Sequence, residues 1–165
     1  MVAVQWSAMT RPEKEQWSLQ FKHVHDNGDH MILSVPNNAK TGRRDVYIFA
    51  GAPLLRKWMQ EDHPAHLESE DAPGDETYLW TKNDENTLLQ YNSWAKRFKR
   101  AAEYAGIDKK GTPRHLRRSR ASYLAKQPNI SAKDLRFYGG WAFGTDAPKH
   151  YIARFDESTA ENVAI

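Results

Sequence analysis

The sequence predicts a mainly α domain carrying a small antiparallel β-sheet, an α+β class, and three observations predict it. Thr112–Leu124 (TPRHLRRSRASYL) opens with a capping threonine and a proline at the first helical position, and Leu116, Ala121 and Leu124 form an apolar stripe at helical spacing. Leu88–Ala105 repeats the helical period over a longer stretch and is closed by Gly106. Met31–Val35 and Asp45–Phe49 are short β-type runs bounded by turn residues.

The elements follow in order. Met1–Thr10 reads as the end of a helix, because Val2, Val4, Trp6 and Met9 are apolar without a start signal. That abrupt opening carries the expectation of a C-terminal part of something longer. Arg11-Pro12 breaks this helix, and Glu13–Phe21 reads as a second one with Trp17, Leu19 and Phe21 inward. Turns at Asn27-Gly28 and Lys40-Thr41-Gly42 make the two strands part of a hairpin or three-stranded sheet. Lys40 lies at its tip, and Val46 and Ile48 share one face. Pro53–Glu61 is a helix with Leu54, Leu55, Trp58 and Met59 as its apolar face; His63–Glu76 is an acidic loop; Tyr78–Trp80 is a short extended piece. In Leu88–Ala105 the inward positions are Leu89, Trp94, Phe98, Ala101, Ala102 and Ala105. Ser131 caps Ala132–Tyr138, which ends at Gly139-Gly140, and Pro148–Phe155 is a final short helix before a polar tail.

The 165 residues suffice for one domain with a proper core, and 39% hydrophobic with 27% charged residues is ordinary for a soluble chain. The absence of cysteine excludes disulfides and cysteine-based zinc sites. No apolar run reaches the length of a membrane span and no signal pattern opens the sequence, so a cytoplasmic location without membrane contact is expected. Charge is unevenly spread: Lys96–Arg120 holds ten Lys/Arg against Glu103 and Asp108, whereas Glu61–Glu85 holds nine acids opposed only by Lys82. A basic face beside an acidic loop points to a polyanionic partner, with nucleic acid first. Taken alone, the arginines of Thr112–Leu124 read at least as well as a solvated basic face.

Lys40 on a turn, Trp141 after Gly-Gly, and Tyr151 ten residues later in GWAFGTDAPKHY complete a chemically compatible set with the arginine helix. A tyrosine, an arginine pair and a lysine are what phosphodiester transesterification by an enzyme nucleophile requires. A phenol of pKa about 10 needs a base or cationic surroundings to attack. A pentacovalent phosphate needs fixed donors on its non-bridging oxygens, and a departing sugar oxygen needs a proton. No metal or cofactor is called for.

In this order the pieces resemble the catalytic domain of the tyrosine recombinases, or phage-type integrases, and especially archaeal members, with an archaeal virus or plasmid as the implied source. KTGRRDVYIFAGAPLLRKWMQEDHP resembles the family's β-hairpin lysine and following helix; LRRSRASYLA its second-arginine helix; GGWAFGTDAPKHYIARF its histidine-or-tryptophan to tyrosine segment. The resemblance runs from Arg11 to Phe155. It implies Tyr151 as nucleophile forming a 3′-phosphotyrosyl link, Lys40 as proton donor to the leaving 5′-oxygen, Arg117 as second catalytic arginine, and Trp141 beside the phosphate. It also implies site-specific recombination of double-stranded DNA by a homotetramer on paired sites, association with the nucleoid, and 1–165 as a catalytic domain without the family's N-terminal DNA-clamping domain.

Two positions depart from the pattern. The family's His-x-x-Arg appears as Arg114-x-x-Arg117; the literal His115-x-x-Arg118 would rotate Leu116 and Ala121 by about 100°. Arginine at 114 cannot shuttle a proton, which leaves the base open to His115, His150 or none. Arg11, near Glu15, is the only upstream candidate for the first catalytic arginine, with a helix-capping Arg-Pro as the alternative. His23, His25 and His30 near Asp26 form no closed metal set; His63 and His66 read as a solvated pair; Trp58, Trp80 and Trp94 read as core, with Trp6 and Trp17 ambiguous. Two rival functions stay open: type IB topoisomerase chemistry, and a non-catalytic DNA-binding remnant of an integrase.

Overall fold

The computed structural model describes residues 1–36, 42–67, 73–82 and 85–152. Strands β1 (Val24–Asp26), β2 (Met31–Val35) and β3 (Arg44–Ile48) form an antiparallel sheet in that order. Met31, Leu33 and Val35 stand opposite Ile48, Val46 and Arg44, so the pleat sends all six to the buried face. The strand thus begins one residue before the expected Asp45, and that residue carries Arg44 inside. Lys40 and its turn lie outside the described residues, as do the end of the Pro148–Phe155 helix and the polar tail.

Helix α1 (Val2–Ala8) precedes the sheet. The helix expected at Glu13–Phe21 is not formed. Instead the amides of Lys14, Glu15 and Gln16 all converge on the Arg11 carbonyl, and the Glu15 carboxylate accepts from the Arg11 amide at 2.8 Å. Trp17, at the end of that run of turns, and Leu19 and Phe21 are all buried, and between the last two Gln20 is extended and bridged to Tyr78. Only a 3-10 turn at Phe21–His23 is helical.

α2 (Ala52–Lys57) continues into a wide π turn at Trp58–Asp62. It docks through Ala52 and Leu55, and Leu54, one residue round the helix, is exposed rather than inward. A 3-10 turn at Pro64–Leu67 follows, and β4 (Thr81–Lys82) pairs with β5 (Glu85–Leu88). α3 (Tyr91–Tyr104) starts later than expected, leaving Leu89 buried in its lead-in. It docks by Tyr91, Trp94 and Phe98; Ala101 and Ala105 face water because the far half of the helix projects from the core. α4 (Pro113–Ala125) and α5 (Ala132–Gly139) match their predicted caps: Ser131 accepts from the Asp134 amide, and Gly140 takes φ +58. Residues 147–152 are helical.

The apolar side chains form two clusters. The larger joins α1, the sheet, α2, Leu79, Trp80 and Trp94. The smaller joins Ala121, Leu124 and Ala125 of α4 to Leu135 of α5 around Met9. Trp17, Trp80 and Trp94 are core, and Trp58 packs on that core half-buried. Trp6 bridges α1 to α4, donating to Ser119 at 3.0 Å beneath the Arg120 guanidinium. The histidine cluster does not converge: His23 accepts from the Gln20 amide, His30 pairs with Asp29, and Asp26 is held by Arg56.

Two polar groups inside the larger cluster carry measurable energy. Gln5 is fully buried; it donates to the Pro113 carbonyl at 3.0 Å and accepts from the Trp94 indole at 2.8 Å, joining α1, α3 and α4. Gln5→Leu strands both partners, so unfolding free energy should fall by about 1–3 kcal/mol, read as a lower urea midpoint at unchanged slope. His63 is buried, not solvated as the sequence implied. It bonds the Tyr78 carbonyl at 2.9 Å, accepts from the Ala65 amide at 3.2 Å, and packs edge-on against Phe21 and Trp58. Burial holds its pKa below the ordinary 6.5. The unfolded chain therefore binds the extra proton first, and His63's contribution is complete above that value and declines as pH falls below it. His63→Gln should flatten the loss of melting temperature between neutral pH and about pH 5.5.

Candidate active site

The site lies where the two clusters meet, at the C-terminal ends of α1 and α5. α4 fixes its first component. Pro113 opens the helix, and the Thr112 amide donates to His115 Nδ1 at 2.9 Å, which commits His115 to the cap. With Ala121 and Leu124 docked, Arg117 lies at the edge of the inner face. Its guanidinium donates to the carbonyls of Met9 and Gly139 and lies 4.9 Å from the centre of the Trp141 ring. Met9 presents its carbonyl because it ends α1 in a left-handed conformation, φ 51.

The second component is the Arg11–Glu15 turn. Arg11 donates to Glu15 and to the Gly140 carbonyl. Glu15 also receives both terminal nitrogens of Arg44, at 2.8 and 3.0 Å, and side-chain exposures of 4% for Arg44 and 1% for Glu15 make this a buried fork. Burial alone would raise the Glu15 pKa. The hydrogen bonds and charge of Arg44, followed by those of Arg11, outweigh it and hold the carboxyl below 4.5. Around Arg117 the balance runs the other way: burial, with Arg11 and Arg44 adding to it and Glu15 and Tyr151 opposing, lowers its pKa to about 10.

Gly139-Gly140 joins the two components. A Cβ at Gly140 would lie 2.6 Å from Arg44 Nη1 on an already left-handed backbone, and one at Gly139 would overlap the Trp141 ring. Trp141 in turn sits 5.7 Å, centre to centre, from the Tyr151 ring. Tyr151 is half-buried against the smaller cluster, and with His150, Arg118 and Ser122 it borders an open groove of about 510 Å³.

Of the side chains singled out in the sequence, Arg11, Arg117, Trp141 and Tyr151 come together. Arg114 does not: it points outward, pairs with Glu13 and lies 5.9 Å from the Tyr91 ring centre. His115 and Arg118 are split between the helix cap and the groove. Arg44 was missed, although extending the Val46/Ile48 alternation back one step would have put it inside. Each terminal nitrogen of Arg11 and Arg117 carries a second hydrogen beyond the bond described.

Gly140→Ala should lower stability by about 1–2 kcal/mol from backbone conformation alone, with the Arg44 contact adding to it, measured by chemical denaturation. Gly139→Ala should also move the Trp141 ring off Arg117, seen as a change in tryptophan fluorescence.

No protein-family model and no curated protein sequence matches the chain. Solved structures do. The XerH site-specific recombinase in a post-cleavage complex with palindromic difH substrate superposes with a TM-score of 0.73 at 19% identity, over 99% of this chain and 43% of that one. XerA recombinase gives 0.71 at 18%, over 97% and 56%. The Tn1549 transposon integrase in complex with circular intermediate DNA gives 0.66 at 14%, over 99% and 58%. The chain thus spans about half the length of these proteins. The backbone described above is the fold of the tyrosine recombinase catalytic domain.

Proposed function

We propose that this chain breaks and rejoins DNA strands in site-specific recombination, through a covalent 3′-phosphotyrosyl intermediate on Tyr151. The observation that carries the reading is the pair Arg11/Arg117, anchored on backbone carbonyls and under-compensated in negative charge, beside a tyrosine lodged against Trp141. Such a cage suits a phosphate already stripped of water. The Tyr151 phenol gives its proton to water or to His150 on the same groove, its oxygen attacks phosphorus, the bond to the 5′-oxygen breaks, and Lys40 supplies the proton that leaves with that oxygen. The phosphodiester is exchanged, not hydrolysed, so attack by a 5′-hydroxyl regenerates DNA without an external energy source.

Arg117 and Arg11 hold the non-bridging oxygens, and the Trp141 ring supports Arg117 from the side. Arg114 acts outside the cage, as a backbone-phosphate contact at most. The basic residues of α3 and of the α3–α4 connection extend the contact along double-stranded DNA. A homotetramer on paired sites is the assembly that strand exchange requires. One observation favours a second reading, a DNA-binding domain without catalysis: Arg114 occupies the register where a titratable histidine is expected, and it is tied to Glu13.

A nicked suicide substrate tests both. Incubated without metal or ATP, the protein should give a covalent adduct on a denaturing gel that Tyr151→Phe abolishes. Arg117→Ala should slow its formation by about 10²–10³-fold. Retention of the duplex without any adduct would favour the binding domain, and relaxation of supercoils by a single bound site would favour topoisomerase chemistry. DNA affinity should fall steeply with salt, in proportion to the phosphates neutralised.

A further inference from the structure

Arg44 has no role in the reading above, yet it is the most deeply buried guanidinium of the cage. We infer that Arg44 is a positioning residue that takes up the charge of Glu15, leaving Arg11 as a free positive charge for the phosphate. The inference rests on the reading of this cage as a phosphate site.

The geometry gives Glu15 two cationic partners. Arg44 meets it with both terminal nitrogens, whereas Arg11 reaches it with one and turns the other to the Gly140 carbonyl. Of the two arginines, Arg44 has the larger effect on the carboxylate. Arg114 and Glu13 cancel each other outside the cage. Among the described residues, and before Lys40 is counted, the cage holds three guanidiniums, Arg11, Arg44 and Arg117, against the carboxylate of Glu15, a net charge of +2.

A phosphodiester carries one negative charge and the pentacovalent species formed by tyrosine attack carries two. A +2 cage therefore matches the transition state better than the ground state, which is the condition for raising rate rather than binding. Without Arg44, Glu15 would neutralise Arg11 and the cage would fall to +1. Both terminal nitrogens of Arg44 are taken up by Glu15, and the guanidinium packs against Gly140 where a Cβ would stand.

The test is charge rescue. Wild type, Arg44→Met, Glu15→Gln and the double variant are compared in two assays: single-turnover adduct formation on the suicide substrate, and binding of inorganic phosphate followed by calorimetry. Arg44→Met should lose on the order of tenfold or more in both, with duplex affinity changed much less. The double variant, which restores +2, should recover to within about threefold of wild type. If the double variant is folded yet no better than Arg44→Met, Arg44 acts by packing alone and the inference is wrong. Should Arg44→Met fail to fold, Arg44→Lys keeps the charge without the fork, and it should retain phosphate affinity; loss of that affinity in a folded Arg44→Lys protein overturns the inference. Phosphate binding that follows the charge pattern in a protein that forms no adduct would remove the transesterification reading and leave the role of Arg44 standing. An adduct without rescue would do the reverse, and wild type that forms no adduct and binds no phosphate would overturn both.

Discussion

A carboxylate withdrawn from water has to be met by positive charge and hydrogen bonds, and most of this structure follows from how Glu15 is met. The Arg11 amide and guanidinium close a turn onto it from one side, and Arg44 closes from β3 on the other. That single acid fixes the start of β3 against the end of α1. It also places Arg11 where its second terminal nitrogen finds the Gly140 carbonyl, so the end of α5 is tied to the same point. Removing Glu15 would leave the buried Arg44 guanidinium and the part-exposed Arg11 without their shared carboxylate, a larger penalty than the loss of one ion pair.

The two apolar clusters give that polar point its rigidity. Met9 packs inside the smaller one while its carbonyl, turned outward by a left-handed backbone, receives Arg117. A positive φ on a non-glycine residue is unfavourable, and it persists here because burial of the side chain and the Arg117 bond both require it. Gly139-Gly140 then allows backbone, Arg44 and Trp141 to approach more closely than any side chain would permit. Arg117 is held by two carbonyls from elements far apart in the chain, so its fork is oriented before any ligand arrives. In the proposed chemistry this preorganisation, rather than any single bond, is what lowers the barrier.

The parts of the fold legible in the sequence were those governed by local signals. The caps of α4 and α5, the β2 run and the glycines that end α3 and α5 all follow from short-range chemistry. Glu13–Phe21 failed because Trp17, Leu19 and Phe21 suit both a helix and an extended strand, and the choice was made by Tyr78, far along the chain. Arg44 escaped notice because a charged residue reads as a strand boundary, when Glu15 across the core had made the inside hospitable to it. His63 was misread for the same reason: its acidic neighbours in sequence say nothing of Phe21 and Trp58, which enclose it. Arg11, Arg117, Trp141 and Tyr151 were legible as types and in order, but their convergence depends on long-range carbonyl contacts that no spacing rule contains. Arg114 belonged to the same sequence set and stands apart in space, paired with Glu13.

The central claim is that Arg11 and Arg117 grip a DNA phosphate presented to Tyr151. The most direct measurement is a crystal structure of the protein with a nicked duplex and orthovanadate as the pentacovalent mimic. The account predicts vanadium with oxygens in hydrogen-bond contact with both guanidiniums, the Tyr151 oxygen at one apex and the 5′-oxygen at the other. Vanadate or phosphate bound elsewhere, with Arg11 and Arg117 still engaged only by Glu15 and the carbonyls of Met9, Gly139 and Gly140, would contradict it.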